Sequence, residues 1–277
     1  MKFLSTRRRH PLAGLLVVLL GLVFVGGVYS AFRPAVAAGT PSDTAMVEAG
    51  RKLFVVGCAS CHGLNGEGIV TKRGTNFGPA LTGVGAAAVD FQVGTGRMPL
   101  AVPGRQAIPK PPNYTAKEIS ELAAYVASLG PGPAIPGKDE TDVSNATTAE
   151  IVEGGQFFKT NCTACHNYAA EGGALPSGGY APPLLDTSSQ HIIEAMLTGP
   201  GQMPRFSDEV ITPAQKRDIL AYITTLKTQP NYGGSNLGSR GPVTEGLWGW
   251  LGGMGALVLA AVWIGNQGVR AGKKKRS

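Results

Sequence analysis

The sequence has 277 residues, of which 43% are hydrophobic and 16% are charged, and its formal net charge is +7. Its 40 glycines, 20 prolines and few aromatic residues favour small modules with much loop over one large core. Five basic residues lie in residues 1–33 and five in residues 266–277, while the part between has a net charge of −3. Because the basic character is confined to the ends, binding of nucleic acid is not expected.

Two uncharged apolar runs adjoin these basic ends. They cover residues 11–32 and 246–265, and each approaches the ~20 residues that a helix needs to cross a bilayer. We predict a basic start with an N-terminal anchor over residues 1–33, a transmembrane helix over 246–265 and a basic tail over 266–277. Basic residues beside a span favour the cytoplasmic side. Both termini would therefore be cytoplasmic, with everything between the two spans outside the cell membrane.

A cleaved signal peptide is the alternative for the first apolar run. Ala35, Val36 and Ala37 match the small-residue pattern of a cleavage site. The apolar part of a signal peptide usually has only about 7 to 15 residues, so a retained anchor is the preferred interpretation. The middle of the chain is exported in either case.

The exported region contains an internal duplication that aligns on its cysteines. Four segments of the first copy match four segments of the second in the same order. The matched pairs are EAGRKLFVVGCASCH from Glu48 with VEGGQFFKTNCTACH from Val152, FGPAL from Phe77 with YAPPL from Tyr180, GTGRMP from Gly94 with TGPGQMP from Thr198, and LAAYVASL from Leu122 with ILAYITTL from Ile219. The spacing agrees as well, with 36 residues from His62 to Met98 and 37 from His166 to Met203. The sequence therefore predicts two copies of one module.

Each module is predicted to begin and end with a helix. The first helices cover residues 43–56 and 147–160. The capping signals are Thr147 with Glu150 before one of these, and Thr115 with Glu118 and Thr212 with Gln215 before the two final helices. No segment alternates clearly enough to predict a sheet. The predicted fold class is therefore all-α.

The stretches between these helices divide the exported region into two domains. Residues 131–146 and 229–245 are rich in Pro, Gly or small polar residues and are predicted to be linkers. Residues 99–113, present only in the first module, are predicted to form a surface loop. The domains then cover residues 43–130 and 147–228, between the two transmembrane helices.

The four cysteines form two CxxC pairs, and a histidine follows each pair. These residues are Cys58, Cys61 and His62, and Cys162, Cys165 and His166. A zinc ribbon usually separates its pairs by ~15 to 20 residues, whereas Cys61 and Cys162 are 101 apart. A thioredoxin-like site would need a βαβ setting, and disulfides would not explain the histidines. CxxCH predicts two covalently bound haem c groups, with thioethers from the cysteines and each histidine as proximal iron ligand.

The second axial ligand of each iron decides between an electron carrier and a catalyst. Met98 and Met203 occupy equivalent positions in Gly-rich segments and are predicted to ligate the iron. Methionine more often fills cores, but here both copies of the module carry it. Met196 has no counterpart and is predicted to lie in the core. His191 would give a bis-histidine site, but an ordinary surface role is preferred.

Two further pairs of equivalent residues have predicted structural roles. Gly50 and Gly154 would let the first helix of each module cross closely over the last. The alternative is that they are incidental in so Gly-rich a chain. Pro79 and Pro182 would support the proximal histidines from a loop.

These motifs resemble class I cytochrome c domains, which have CxxCH after an N-terminal helix, a GPxL-like loop, an MP loop and a terminal LxxYxxxL helix. Two such domains with a C-terminal anchor and a basic tail resemble the cytochrome cc subunit of the actinobacterial-type cytochrome bcc complex, a quinol:cytochrome c reductase. The resemblance implies a cytochrome b subunit, a Rieske iron-sulfur subunit and a cytochrome c oxidase as partners in a respiratory supercomplex. The chain would relay electrons from the Rieske protein to the oxidase, as an electron carrier within an enzyme and without catalytic residues of its own.

The rival functions are a dihaem enzyme, such as a peroxidase or a sulfur-compound dehydrogenase, and a cytochrome subunit of another membrane dehydrogenase. An enzyme would need an open or displaceable position on the iron. The charge distribution is informative as well, because residues 43–130 have a net charge of +2 and residues 138–232 of −5. Since complementary charge steers docking, the two modules are expected to meet different partners.

Overall fold

The computed structural model describes residues 11–31, 41–72, 74, 76–102, 104, 106–229, 237 and 242–274. Contacts divide the chain into two units, residues 1–45 and 46–277. Two stretches that matter for the predictions, the proposed cleavage site at 35–37 and most of the second linker, lie outside the described residues.

The two modules have the same order of elements. Module one contains α2 (Pro41–Gly57), α3 (Ala59–His62), β1 (Ile69–Val70), β2 (Asn76–Gly78), α4 (Gly85–Gly94) and α5 (Ala116–Ser128). Module two contains α7 (Thr148–Asn161), α8 (Thr163–His166), β3 (Gly173–Ala174), β4 (Tyr180–Ala181), α9 (Ser189–Thr198) and α10 (Pro213–Thr228). Helix α1 (Pro11–Ala31) precedes them, α6 (Lys138–Thr141) lies between them, and α11 (Pro242–Lys274) follows. The predicted duplication is therefore present in the fold.

The fold is mostly helical, as predicted, but each module also has a small antiparallel sheet. In module one Ile69 pairs with Gly78, and in module two Gly173 pairs with Ala181. These strands have only two or three residues. Such strands are too short to show the alternation of apolar and polar residues that reveals a strand in a sequence.

The predicted helix starts are confirmed in detail. Thr147, Thr115 and Thr212 each accept a hydrogen bond from the backbone three residues on, and the side chain at that third position bonds back to the threonine backbone. Each pair satisfies two backbone N–H groups that a helix start would otherwise leave without partners. Pro213 occupies the first turn of α10, where its missing N–H costs nothing.

Gly50 and Gly154 lie where the first helix of each module crosses the last. A Cβ added at Gly50 would lie 1.9 Å from the backbone oxygen of Glu121, and one added at Gly154 would lie 1.9 Å from that of Asp218. No side chain fits at that distance, so the crossing requires glycine. The predicted packing role of both glycines is confirmed.

Each crossing is completed by one aromatic pair. The ring centroids of Phe54 and Tyr125 are 5.1 Å apart with an interplanar angle of 52°. Those of Phe158 and Tyr222 are 5.4 Å apart at 47°. Tilted pairs at this separation are favourable for aromatic rings. The two modules therefore pack their first helix against their last with equivalent aromatic pairs.

A separate apolar core lies in each module. The first contains Phe54, Val89, Val93, Ile119, Leu122, Tyr125 and Val126, and the second contains Phe158, Ile192, Ile193, Met196, Ile219, Leu220 and Ile223. Met196 is 3% exposed, which confirms its predicted place in the core.

The segment at 131–146, predicted to be a linker, is packed on both modules. The backbone N–H of Ala87 in module one donates to the carbonyl oxygen of Pro133 at 3.1 Å. In module two, Arg217 Nε donates to the carbonyl oxygen of Asp142 at 3.2 Å. The segment is thus ordered and bonded to both modules, and we call it the strap.

The loop at 99–113 also connects the two modules. Gln106 Nε2 donates to the carbonyl oxygen of Tyr180 at 2.6 Å, and the backbone N–H of Tyr180 donates to Gln106 Oε1 at 3.0 Å. Lys110 Nζ holds the base of the loop by donating to the carbonyl oxygens of Gly96 and Pro99. The amide of Gln106 therefore pairs with module two as an adjacent strand would.

The third connection is a polar cluster between α4 and α9, which we call the junction: Asp90, Gln190, His191 and Glu194. Gln190 Nε2 donates to Asp90 Oδ2 at 2.8 Å and to Glu194 Oε1 at 3.1 Å. His191 Nε2 lies 3.6 Å from Asp90 Oδ2 and 3.9 Å from Glu194 Oε2. The side chain of His191 is 23% exposed and lies beside both carboxylates, which differs from the ordinary surface role predicted for it.

Glu194 is the most unusual residue of the junction. It is fully buried, and its Oε2 accepts no hydrogen bond. Burial, and then the negative charge of Asp90, raise the pKa of Glu194 to about 9. The neighbouring His191 has the opposite effect on Asp90 and is the main cause that lowers the pKa of that carboxyl. Within this pair, Glu194 therefore holds a proton at neutral pH and Asp90 carries the charge.

Helix α11 is apolar over most of its length. Among the described residues, Thr244–Gln267 is the one helical stretch long and apolar enough to cross a membrane, with a mean hydropathy of 1.7 and none of it buried. The apolar stretch described in α1 is shorter, Gly14–Gly27. The helix at 246–265 is therefore present as predicted and is compatible with membrane association.

We predict that Gly50→Ala destabilises the haem-loaded chain, and that Gly154→Ala does the same. A methyl group cannot fit against the facing backbone, so the helices must separate at a cost of about 1 to 3 kcal/mol. Helix propensity alone would predict a stabilised chain, because alanine is up to about 1 kcal/mol more favourable than glycine inside a helix. Denaturant unfolding, monitored by haem absorbance, measures the difference in free energy of unfolding between each variant and the unmodified chain. A stabilised Gly50→Ala variant would contradict the close crossing.

We predict that Glu194→Gln stabilises the chain at pH 8.5 but not at pH 4. Between its usual pKa of 4.5 and its folded-state pKa of about 9, Glu194 holds a proton only in the folded chain. Its contribution to the free energy of unfolding therefore becomes less favourable as the pH rises through this range. The neutral amide removes this dependence, and we expect a gain on the order of 1 to 3 kcal/mol at pH 8.5. Thermal unfolding in metal-free buffer at both pH values is the measurement. A loss of stability at pH 8.5 would show that the ionised carboxylate is stabilising.

Candidate haem sites

The first CxxCH motif forms one tight turn directly after α2. The backbone N–H groups of Cys61 and His62 both donate to the carbonyl oxygen of Cys58, at 3.1 and 3.0 Å. Cys58 and Cys61 are free thiols and partly buried. The turn therefore holds the two sulfurs and the imidazole together, with Cys58 just before the short helix α3 and Cys61 and His62 on it.

The second motif repeats this geometry after α7. The N–H groups of Cys165 and His166 donate to the carbonyl oxygen of Cys162, at 3.2 and 2.8 Å. Both thiols are again free and partly buried. All six residues predicted from the two motifs are thus brought together, three in each module.

A hydrogen bond to a proline carbonyl orients each histidine ring. His62 Nδ1 lies 2.7 Å from the carbonyl oxygen of Pro79, and His166 Nδ1 lies 3.0 Å from that of Pro182. A carbonyl oxygen can only accept, so Nδ1 carries a proton and Nε2 is the ring nitrogen left to bind iron. This is the tautomer that an iron ligand needs. The predicted support of both histidines by these prolines is confirmed.

The loop that carries the proline is tied to the CxxCH turn in both modules. The N–H of Gly68 donates to the carbonyl oxygen of His62 at 2.7 Å, and that of Gly172 to the carbonyl oxygen of His166 at 2.9 Å. In module one, a Cβ added at Gly78 would lie 2.0 Å from the carbonyl oxygen of Cys61. The small sheets therefore lie against the turn, and they set the position of the proline carbonyl.

The two predicted methionine ligands are placed against the cores of their modules. Met98 packs on the first core and Met203 on the second, and both are partly buried. The backbone N–H of Met98 donates to the carbonyl oxygen of Gln92 at 2.8 Å, while that of Met203 donates to Pro200 at 3.1 Å. The methionine loop of module one is therefore held by α4, and that of module two is held by α9, where the backbone N–H of Phe206 donates to the carbonyl oxygen of Met196 at 2.8 Å.

The electrostatics around the motifs favour neutral groups. Burial, and then the neighbouring thiol, raise the pKa of Cys58 and of Cys162 to about 11. Burial lowers the pKa of His166, which keeps its imidazole neutral. Apolar surroundings of this kind suit a porphyrin, and the free thiols and the imidazole with a free Nε2 are the groups that haem c requires. The residues present therefore fit haem c in both modules.

Sequence reasoning missed the junction. Asp90, Gln190 and Glu194 gave no motif, and His191 was assigned to the surface. One signal was available: Glu194 is an acidic residue between Ile193 and Met196 in the core-facing HIIEAML pattern of α9. A charge at an apolar helix position is rare unless it is paired.

Comparison with known proteins agrees with the duplicated architecture. Residues 47–130 match the family model "Cytochrome c", and residues 149–223 match "Cytochrome C oxidase, cbb3-type, subunit III". A more distant relative is the cbb3-type cytochrome c oxidase subunit FixP of Sinorhizobium medicae, which is 29% identical over 60% of this chain and 57% of that protein. The chain thus contains two cytochrome c domains, and these bind haem c and transport electrons.

Two relatives match almost from end to end. The cytochrome bc1 complex cytochrome c subunit of Corynebacterium diphtheriae is 40% identical over 272 residues, which cover 94% of this chain and 95% of that protein. The protein of the same name from Mycobacterium tuberculosis is 39% identical over 263 residues, which cover 94% of this chain and 92% of that protein. With this identity over nearly the whole length, the chain belongs to the family of cytochrome bc1 complex cytochrome c subunits.

Proposed function

We propose that this chain relays electrons from the Rieske iron-sulfur protein of a quinol:cytochrome c reductase to a cytochrome c oxidase, using two covalently bound haem c groups. The observation that carries the proposal is the repeated site, in which a CxxCH turn and a proline carbonyl orient one histidine ring in each of two packed modules. One haem would be attached to Cys58 and Cys61, and the other to Cys162 and Cys165.

The chain's own residues would hold and enclose these groups. Haem iron supplies one-electron chemistry by changing between Fe(II) and Fe(III). His62 and His166 would bind from one side, with their rings fixed by the proline carbonyls. Met98 and Met203 would bind from the other side, from loops that pack on the two cores. With both a histidine and a methionine holding each iron, no place would remain for a substrate, which suits a carrier.

Ordered contacts between the modules support a relay within one chain. The strap at 131–146, the loop at 99–113 and the junction all connect the two modules. A fixed arrangement of this kind keeps two redox groups at a constant separation. The haem domains would then be residues 43–130 and 147–228, as the sequence predicts, and the strap would be a structural part of the pair.

We further propose that α1 and α11 anchor the chain on either side of the exported domains. Their apolar stretches and the basic residues at both ends support this topology, with both termini in the cytoplasm. Trp248 and Trp250 near the start of the apolar span at 246–265 and Trp263 near its end are all exposed, as expected for residues at the two membrane interfaces.

Opposite charge supports separate partners for the two modules, with residues 43–130 at +2 and residues 138–232 at −5. The cytochrome b subunit would associate with the chain in the same complex.

Within module two, Asp208 is unsuitable for testing whether the modules have separate partners, because it forms an ion pair of 2.6 Å with Lys216, which is 2% exposed. Glu209 is exposed and makes a cleaner probe.

We predict that Met98→Ala and Met203→Ala each remove one methionine-to-iron absorption band and lower the potential of one haem, because Met/His ligation raises the potential. Met196→Leu, a change in the core of module two, is the matched control and should keep both bands. Redox titration with near-infrared absorbance measures both quantities. If either alanine variant keeps both bands, the ligand assignment is wrong for that module.

We predict that Glu209→Lys slows electron transfer with one partner only, by several-fold at low ionic strength and less at high salt, because salt screens surface charge. Glu48→Lys, the same reversal at an exposed position of α2 in module one, is the control and should not slow that step. Flash-induced kinetics of the purified complex resolve reduction by the reductase from oxidation by the oxidase. Equal slowing of both steps by Glu209→Lys would contradict the proposal of separate docking surfaces.

Purification in mild detergent tests the function directly. We expect the chain to co-purify with cytochrome b, Rieske and oxidase subunits, and the preparation to oxidise quinol with oxygen without added soluble cytochrome c. The match of module two to cbb3-type subunit III makes an oxidase subunit the second candidate. Co-purification with oxidase subunits alone, and no reduction by quinol, would favour that second candidate.

A further inference from the structure

The junction places one ligand group from module one and two from module two around a common point. Asp90, His191 and Glu194 each direct one donor atom inward, and these atoms all lie within 4.8 Å of one another. His191 Nε2 is 3.6 Å from Asp90 Oδ2 and 3.9 Å from Glu194 Oε2. Tetrahedral zinc, with bonds of about 2.0 to 2.2 Å, brings its ligand atoms to about 3.3 to 3.6 Å of one another. Small side-chain movements would therefore complete the site.

Glu194 gives an independent indication of a ligand. It is 0% exposed, and its Oε2 accepts no hydrogen bond although its Oε1 accepts one from Gln190. A buried acceptor without a partner is costly unless a proton or a cation serves it. The bond from Gln190 fixes the carboxylate so that the free oxygen faces His191. Without a metal Glu194 holds a proton, which a bound cation would displace from the carboxylate; no hydrogen-bond donor among the described residues serves its Oε2.

We propose that the junction binds one divalent transition-metal ion of the zinc class, held by Asp90, His191 and Glu194. An imidazole with two carboxylates suits zinc and its neighbours, whereas Mg²⁺ and Ca²⁺ prefer oxygen ligands alone. Asp90 and His191 are partly exposed, at 17% and 23%, which leaves an entry path and room for water as a fourth ligand. The ion would cross-link the two modules, because its ligands come from both.

Zinc binding to the haem-loaded, tag-free full chain in detergent tests the site. The chain must carry its haems, because the four free cysteines would themselves bind zinc. Once the cysteines are joined to haem as thioethers, they have no thiolate to offer a metal. Equilibrium dialysis against Zn²⁺, with zinc and iron measured by mass spectrometry, should give one junction zinc for every two irons. We expect His191→Ala and Asp90→Asn to weaken this binding at least about tenfold. Glu153→Gln, an exposed carboxylate on α7, should leave it unchanged.

Thermal unfolding gives a second readout that does not depend on stoichiometry. At 100 times its dissociation constant, zinc should raise the melting temperature of the unmodified chain by about 5 °C or more, and Asp90→Asn should abolish the rise. The haem spectrum of each variant shows that both modules remain folded. Equal zinc affinity in all variants, or the same thermal shift with and without Asp90, would overturn the proposal. So would binding of Mg²⁺ as tight as that of Zn²⁺.

Discussion

The close crossing of the first and last helices is the constraint on which each module depends. Because Gly50 and Gly154 carry no side chain, each first helix lies directly on the backbone of the last. The CxxCH turn begins where that first helix ends, so the crossing fixes where the sulfurs and the histidine lie relative to the core. A small sheet and a proline carbonyl then orient the histidine ring. The haem site of each module is therefore built outward from one helix contact.

The contacts between modules change how the duplication is understood. Two cytochrome domains joined by a flexible linker would move independently, and the distance between their redox groups would vary. Here the strap at 131–146 bonds to both modules, Gln106 pairs with the backbone of Tyr180, and the junction joins α4 to α9. The strap still joins the two domains in the sequence, and the loop at 99–113 is mostly exposed as predicted, but each also bonds across the modules. Both contribute to a connected pair of domains.

Residues whose role depends on local spacing or on the repeat could be predicted from the sequence. The CxxCH turns, the capping threonines, the glycines at the crossing and the prolines beside the histidines belong to this group. The rest depends on long-range packing. An ordinary surface role was predicted for His191 because it has no counterpart in module one and precedes a helix. Its partner Asp90 lies 101 residues away in the sequence, and no local pattern links the two. The small sheets escaped detection because two residues cannot show an alternation.

Addition of carbon monoxide to the reduced, native chain tests the central claim most directly, because the claim is that both irons are closed by a histidine and a methionine. A carrier with two occupied axial positions should show no change in its Soret spectrum, whereas an enzyme with an open or displaceable position should bind the gas. The account predicts no change at either haem. A carbon monoxide complex at one or both haems would contradict it and would favour a dihaem enzyme.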